Sequence, residues 1–159
     1  MKHPLFTALM LGALMAAPAL AESFSNFPAA PYQGTSKMPD FNGAQKDYTM
    51  FRTRLGNAAQ READFAGSWV VEQFGCGTGC SLAFVVDHKT GQILDLPVGG
   101  ENNLYLRLYH RADSRLMKTT WIDGFWDSGK CMIGEWSLEN GAFQPVAVTE
   151  HFPLEDCQN

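Results

Sequence analysis

Residues 69–86 read WVVEQFGCGTGCSLAFVV, and this stretch decides the fold. Two runs rich in β-branched and aromatic residues flank the turn Gly77-Thr78-Gly79, which has Cys76 on one side and Cys80 on the other. Such runs, separated by a short glycine-containing turn, predict an antiparallel β-hairpin. Facing Cα atoms in a hairpin lie about 4.5–5.5 Å apart, and a disulfide tolerates roughly 4.4–6.8 Å. The hairpin geometry therefore permits a bond between Cys76 and Cys80.

The chain after this hairpin continues in the same pattern. Short apolar or alternating runs recur at roughly the 8–12-residue spacing that is typical of an antiparallel β domain. Turn signals separate them, and Asn140-Gly141 is a strong type I′ hairpin signal. Together with the hairpin, these runs predict about seven strands, over residues 69–74, 82–86, 93–96, 104–109, 115–122, 131–138 and 143–151.

The segment before the hairpin carries a helical pattern. One apolar face follows the i, i+4, i+7, i+11 spacing of a helix and consists of Ala44, Tyr48, Phe51 and Leu55. The pattern predicts one or two helices between residues 44 and 66, with residues 58–65 continuing the helix up to Gly67 as a stop.

The stretch over residues 22–43 differs from the rest of the chain. It is rich in Pro and Gly, has scattered aromatic residues and follows no period, which predicts an extended, partly flexible arm or a disordered leader. The predicted fold class is α+β, with this arm followed by a single domain over residues 44–159. In that domain short helices pack on a mainly antiparallel β-sheet.

The first residues have the pattern of an export signal. A basic start, Met1-Lys2-His3, precedes an uncharged apolar run and the small-x-small sequence Ala19-Leu20-Ala21. The pattern predicts a signal peptide over residues 1–21, cleavage after Ala21, and a periplasmic protein without a membrane anchor. The net charge of −5 is interspersed along the chain, which argues against nucleic acid as a partner.

Four cysteines in an oxidising compartment indicate two disulfides. The sequential pairing, Cys76–Cys80 and Cys131–Cys157, is favoured because the first bond closes so short a loop, although four cysteines allow three connectivities. Two other interpretations of Cys76 and Cys80 stay open. They are a redox thiol pair, which lacks the usual Cys-x-x-Cys spacing, and a Cu(I) site completed by a histidine.

Residues 65–143 resemble an uncharacterised family of small exported bacterial proteins with a Gly-Cys-Gly-Thr-x-Cys turn. The elements that carry the resemblance are Phe65-Ala66-Gly67, Gly75 to Cys80, Asp87-x-x-Thr90-Gly91, Asp113-Ser114-Arg115-Leu116 and Glu135-Trp136 with Asn140-Gly141-x-Phe143. The Cys131–Cys157 pair does not belong to this pattern. The resemblance implies an exported protein with a β fold, and it implies no activity.

The best candidate for a recognition surface is the loop over residues 123–129. Phe125 and Trp126 lie there between Asp123 and Asp127, with glycines on either side. Aromatic side chains on loops suit contacts with proteins or sugars, since they give a large contact area at a small entropic cost. The favoured interpretation is nevertheless that both rings fold back as a lid over the core, since large aromatic side chains are usually mostly buried.

Motif searches for catalysis give nothing: the chain has no nucleophile elbow, zinc-protease, dinucleotide-binding or P-loop pattern. Glu72, Glu135 and Glu150 are candidate acid–base carboxylates, but solvated strand residues look the same in sequence. We therefore expect no cofactor and no metal, and a non-catalytic periplasmic binding or inhibitor-type module whose partner is a periplasmic protein or a glycan. The alternative is a thiol-based redox or copper-handling protein that uses Cys76 and Cys80.

Overall fold

The computed structural model describes residues 21–151 and 153–158. The predicted export signal lies outside the described residues except for Ala21. The described strands are β1 (Trp69–Gly77), β2 (Cys80–Asp87), β3 (Ile93–Asp95), β4 (Asn103–Tyr109), β5 (Leu116–Asp123), β6 (Lys130–Glu139) and β7 (Ala142–His151). The described helices are two 3-10 helices, Phe24–Asn26 and Lys46–Phe51, and two α-helices, α1 (Arg52–Ala58) and α2 (Glu155–Gln158). Within these described residues, no helix is long and apolar enough to cross a membrane.

The strands form two antiparallel sheets, in the orders β1-β2-β3 and β4-β5-β6-β7. The α+β class and the antiparallel arrangement are thus confirmed, and the strands divide between two layers. The division follows from the segment after β3, where Pro97 ends the strand and Gly100, at φ 76°, turns the chain. The Gly100 amide donates to the Ser81 carbonyl at 2.7 Å and holds this crossing in place.

The main core lies between the two sheets. It is formed by buried side chains of both layers, which include Trp69, Val71 and Val85 from the first sheet and Met117 and Trp121 from the second. Burying each large apolar side chain contributes about 1.5–3 kcal/mol. Packing between the layers is therefore the main source of stability in this fold.

A helical layer covers the outer face of the first sheet. The 3-10 helix Lys46–Phe51 runs directly into α1, and Tyr48, Phe51 and Leu55 pack on that face, whereas Ala44 is exposed. The predicted continuation of the helix through residues 58–65 is wrong. The chain turns directly after α1, where the amides of Gln60 and Arg61 donate to the carbonyls of Asn57 and Ala58. Further on, the Asp64 carboxylate accepts from the Val71 amide at 2.8 Å, which ties this segment to the edge of β1.

The arm over residues 22–43 is joined to the body by backbone hydrogen bonds. They run from the amides of Ala29, Tyr32 and Lys37 to the carbonyls of Asp113, Gly67 and His88, at 2.8–2.9 Å. Gly67, at φ 79°, permits this approach, since a Cβ there would lie 2.1 Å from the Ala30 carbonyl oxygen. The arm therefore follows the turns at one end of the sandwich.

Antiparallel pairing places the connections at two opposite ends. The arm end, as we call it, holds the turns over residues 65–68, 88–92, 110–115 and 140–141. The loop end holds the turn 76–80, the loop 96–102, the loop 124–129 and α2. Both pairs of cysteines lie at the loop end.

Candidate functional site

The loops of the loop end contact one another. Gly100 hydrogen-bonds to Ser81, and the Tyr105 amide donates to the Gly79 carbonyl at 2.7 Å, so the cysteine turn is attached to β4. Tyr105 has a φ of 54° and lies at a β-bulge. Asn103 pairs with Asp123, which brings the loop 96–102 beside the loop 124–129. Residues distant in sequence thus form one continuous surface.

Two disulfides brace this surface, with the sequential pairing that the sequence favours. Cys76 and Cys80 are bonded with Cα atoms 5.1 Å apart, and Cys131 and Cys157 with Cα atoms 5.5 Å apart. The second bond is buried, because both its cysteines pack with Ile122 in a small apolar cluster under α2. The first bond has Cys76 exposed and Cys80 buried.

The loop 124–129 is tightly closed at its base. The Gly129 amide donates to the Phe125 carbonyl at 2.7 Å, and a Cβ on Gly129 would lie only 2.6 Å from the carbonyl oxygens of Asp123 and Phe125. Cys131 pairs with Ile122 just below. The Gln158 side chain donates to the Trp126 carbonyl and connects the loop to α2. The Cys131–Cys157 bond therefore fixes both the base and one flank of this loop.

The two aromatic rings project from the loop. Phe125 is 77% exposed and Trp126 is 58% exposed. The rings thus do not form a lid over the core, and the interpretation favoured from the sequence is wrong on this point. Because the backbone beneath them is held by hydrogen bonds and a disulfide, they are presented in a fixed position at small entropic cost.

A cleft of about 420 Å³ opens beside Phe125. It is lined by Glu101, Asn102, Leu104, Asp123, Gly124 and Phe125. The carboxylates of Glu101 and Asp123 give it an acidic wall. Lys130 lies opposite Asp123 but binds Glu150 at 2.7 Å, and that hydrogen bond is the main cause that raises the pKa of Lys130, with a smaller contribution from Asp123. Asp127 accepts a hydrogen bond from Ser128 at 3.1 Å.

The candidate acid–base carboxylates lie in three separate ion pairs. Glu72 binds Arg61, Glu150 binds Lys130, and Glu135 binds Lys118. Each carboxylate therefore has a cation as its partner, and none of these pairs places two of the three acids on one site. Each of these ion pairs connects a strand to a neighbouring strand or segment.

A Cu(I) site needs two free thiolates, whereas Cys76 and Cys80 are bonded to each other. Two of the three described histidines also have other contacts: His110 Nδ1 lies 3.0 Å from the Asp64 carbonyl and His151 Nε2 lies 2.8 Å from Asp156 Oδ2. The third, His88, is buried, and its Nε2 has no hydrogen-bond partner. Among residues 21–151 and 153–158, no group of three or more His, Cys, Asp or Glu side chains is placed to hold a metal ion.

Sequence reasoning singled out the aromatic loop but missed its neighbours. Glu101, Asn102 and Leu104 reach the cleft only through the pairing of β4 with β5. Gln158 reaches Trp126 only because the second disulfide brings the C-terminus back. In the register of the β4–β5 hairpin, Asn103 lies opposite Asp123. Pairing the two predicted strands in this register would have placed the loop before β4 beside the aromatic loop.

Comparison of the chain with known protein families, curated proteins and solved structures gives no match. The resemblance to exported proteins with a Gly-Cys-Gly-Thr-x-Cys turn therefore stays a prediction from the residues that carry it. A function for this chain has to be argued from the geometry of the loop end.

Proposed function

We propose that this protein is a non-catalytic periplasmic binding module of the inhibitor type, which holds a partner protein with its loop end. The observation that supports this most is the exposure of two adjacent aromatic rings, Phe125 and Trp126. Large aromatic side chains are usually mostly buried. Where they project from a rigid loop, they fit the buried anchors that dominate the binding energy of protein interfaces.

The position of the disulfides supports the same function. Both lie at the loop end, while the arm end is held by backbone hydrogen bonds. Rigid loops lose little entropy on binding, so bracing them raises affinity for a partner of matching shape. The covalent framework thus stabilises the surface that carries the exposed rings.

The charge around the rings favours a basic partner. Asp123 and Asp127 lie beside Phe125 and Trp126 in the loop, and Glu101 faces the adjoining cleft. Opposite charges at the rim of an interface speed association and select partners, and salt screens them. A partner protein would offer an apolar pocket for the rings inside a basic rim, whereas a neutral glycan would stack on the rings without dependence on salt.

Site-specific photocrosslinking tests this proposal. A benzoylphenylalanine replaces Phe125 in one variant and Tyr109, a 49% exposed residue outside the loop end, in the control. We expect an adduct of one discrete mass from position 125 alone, in the envelope of a bacterium that exports the protein. The adduct should weaken severalfold at about 0.5 M salt and in the double variant Asp123→Asn, Asp127→Asn. An equal yield at both positions, or an adduct indifferent to salt and to these substitutions, would contradict the proposal.

A further inference from the structure

Glu135 is a buried carboxylate at a position where an exposed one is expected. It lies on the face of β6 away from the main core, yet it is only 4% exposed. Lys118 is its register partner on β5, and the Lys118 Nζ lies 2.9 Å from Glu135 Oε1. The second oxygen, Oε2, accepts a hydrogen bond from the backbone nitrogen of Glu22 at 3.1 Å, 113 residues away in sequence.

The residues after Glu22 are held against the body of the protein, and this fixes the contact between Glu22 and Glu135. The buried Ser114 hydroxyl bonds to the carbonyls of Phe24 and Phe27, at 2.8 and 3.1 Å. The Phe24 ring lies beside two cations, with its centroid 5.6 Å from the Lys118 Nζ and 6.0 Å from the Arg111 Cζ. These contacts with the body of the protein therefore hold the Glu22 nitrogen in position.

Glu22 is also the residue that the predicted cleavage would make the first of the chain. Hydrolysis of the Ala21–Glu22 peptide bond by an export peptidase consumes one water, and leaves a carboxylate on Ala21 and an amine on Glu22. That amine takes the proton released at the same step and is an ammonium at neutral pH. We propose that the Glu135 carboxylate, which already pairs with Lys118, is the binding site for the α-ammonium of the processed chain, so that cleavage converts a hydrogen bond from a neutral amide into an ion pair that locks the arm.

The charges around Glu135 are compatible with a second cation. The Glu22 side chain, which accepts from Asn26 Nδ2 at 2.8 Å, supplies a negative charge next to the new ammonium. Arg111 is engaged by Asp113 at 2.7 Å. Hydrogen bonds with a charged donor and a charged acceptor are stronger than those from a neutral amide. The uncleaved chain can thus fold with the amide in this place, and processing adds stability to the same contact.

The test compares two chain lengths and two residues at position 135. One chain begins at Glu22 and the other keeps Leu20 and Ala21, which moves the ammonium away from the site. Glu135→Gln should lower the folding equilibrium constant of the chain that begins at Glu22 roughly tenfold more than that of the longer chain. The control is Glu150→Gln, which breaks an ion pair with Lys130 on the same sheet and should act equally in both lengths.

A second measurement covers the case in which Glu135→Gln fails to fold. With Glu135 intact, hydrogen exchange at the amides of residues 24–29 should be about tenfold slower in the chain that begins at Glu22 than in the longer chain. Equal protection in the two chains would overturn the proposal, as would an equal effect of Glu135→Gln in both. An intact mass showing that the exported protein starts elsewhere than at Glu22 would overturn it as well.

Discussion

Tyr48 joins the helical layer to the first sheet through one hydrogen bond. Its phenol donates to Asp95 Oδ2 at 2.8 Å, and its ring packs edge-on to Phe84. Burial, followed by this hydrogen bond, raises the pKa of Tyr48 from 10.0 to about 12. A raised folded pKa means that the neutral phenol stabilises the fold fully below about pH 10, and that this contribution is lost as the pH rises toward 12.

A spectroscopic titration checks this shift. In the folded protein, the absorbance change of one tyrosinate should appear only near pH 12, and Tyr48→Phe should remove that part of the curve. Tyr48→Phe should also cost about 1 kcal/mol at pH 7, the ordinary value of a hydrogen bond. If Tyr48→Phe removes absorbance near pH 10 instead, the burial of this phenol is wrong.

Single residues differ in how far their surroundings can be predicted from sequence. Tyr48, Phe51 and Leu55 were predicted on one apolar helical face, and they do pack on the sheet, because local periodicity is enough to place them. Glu135 could not be predicted, since a strand carboxylate looks solvated until the arm returns to cover it. A contact between residues so far apart in the chain leaves no local pattern in the sequence.

At the level of elements, the two disulfides should differ in what they contribute. Loss of Cys131–Cys157 should cost about 3–4 kcal/mol of folding stability and loss of Cys76–Cys80 about 2 kcal/mol. The reason is loop length, since Cys131–Cys157 spans a sequence separation of 26 and Cys76–Cys80 a separation of 4. Cys157 is fully buried, at 0% exposure, which adds to the cost of losing Cys131–Cys157. Thermal melts of the two paired Cys→Ser variants measure the order, and the reverse order refutes the argument from loop entropy.

The strands were predictable as elements, but their grouping was not. All seven predicted runs are strands, since alternation and turn residues are local signals. The division into two sheets depends on how the chain crosses after Pro97, where Gly100 bonds to Ser81. The helix was predicted too long because the bond from the Val71 amide to Asp64, which holds the segment after α1 against β1, is a tertiary contact.

As a whole molecule, the protein has two unlike ends. The arm covers the turns of one end, whereas the other end carries both disulfides, an acidic cleft and two projecting aromatic rings. The aromatic loop itself was singled out from its composition. Its bracing by α2 and the second disulfide, and the cleft beside it, arise only when the chain ends and hairpins come together.

The double substitution Phe125→Ala, Trp126→Ala tests the central claim most directly, with Met50→Ala, Tyr109→Ala as the control for two exposed side chains elsewhere. Two quantities are measured for each variant. One is the melting temperature, and the other is the amount of partner protein that co-isolates with it, the partner being the species identified by crosslinking at position 125. We expect the melting temperature to change by less than about 2 °C, because exposed side chains contribute little to stability, while co-isolation falls more than tenfold in this variant alone. A loss of about 3–5 kcal/mol in stability, typical of core aromatic truncation, or undiminished co-isolation, would contradict the account.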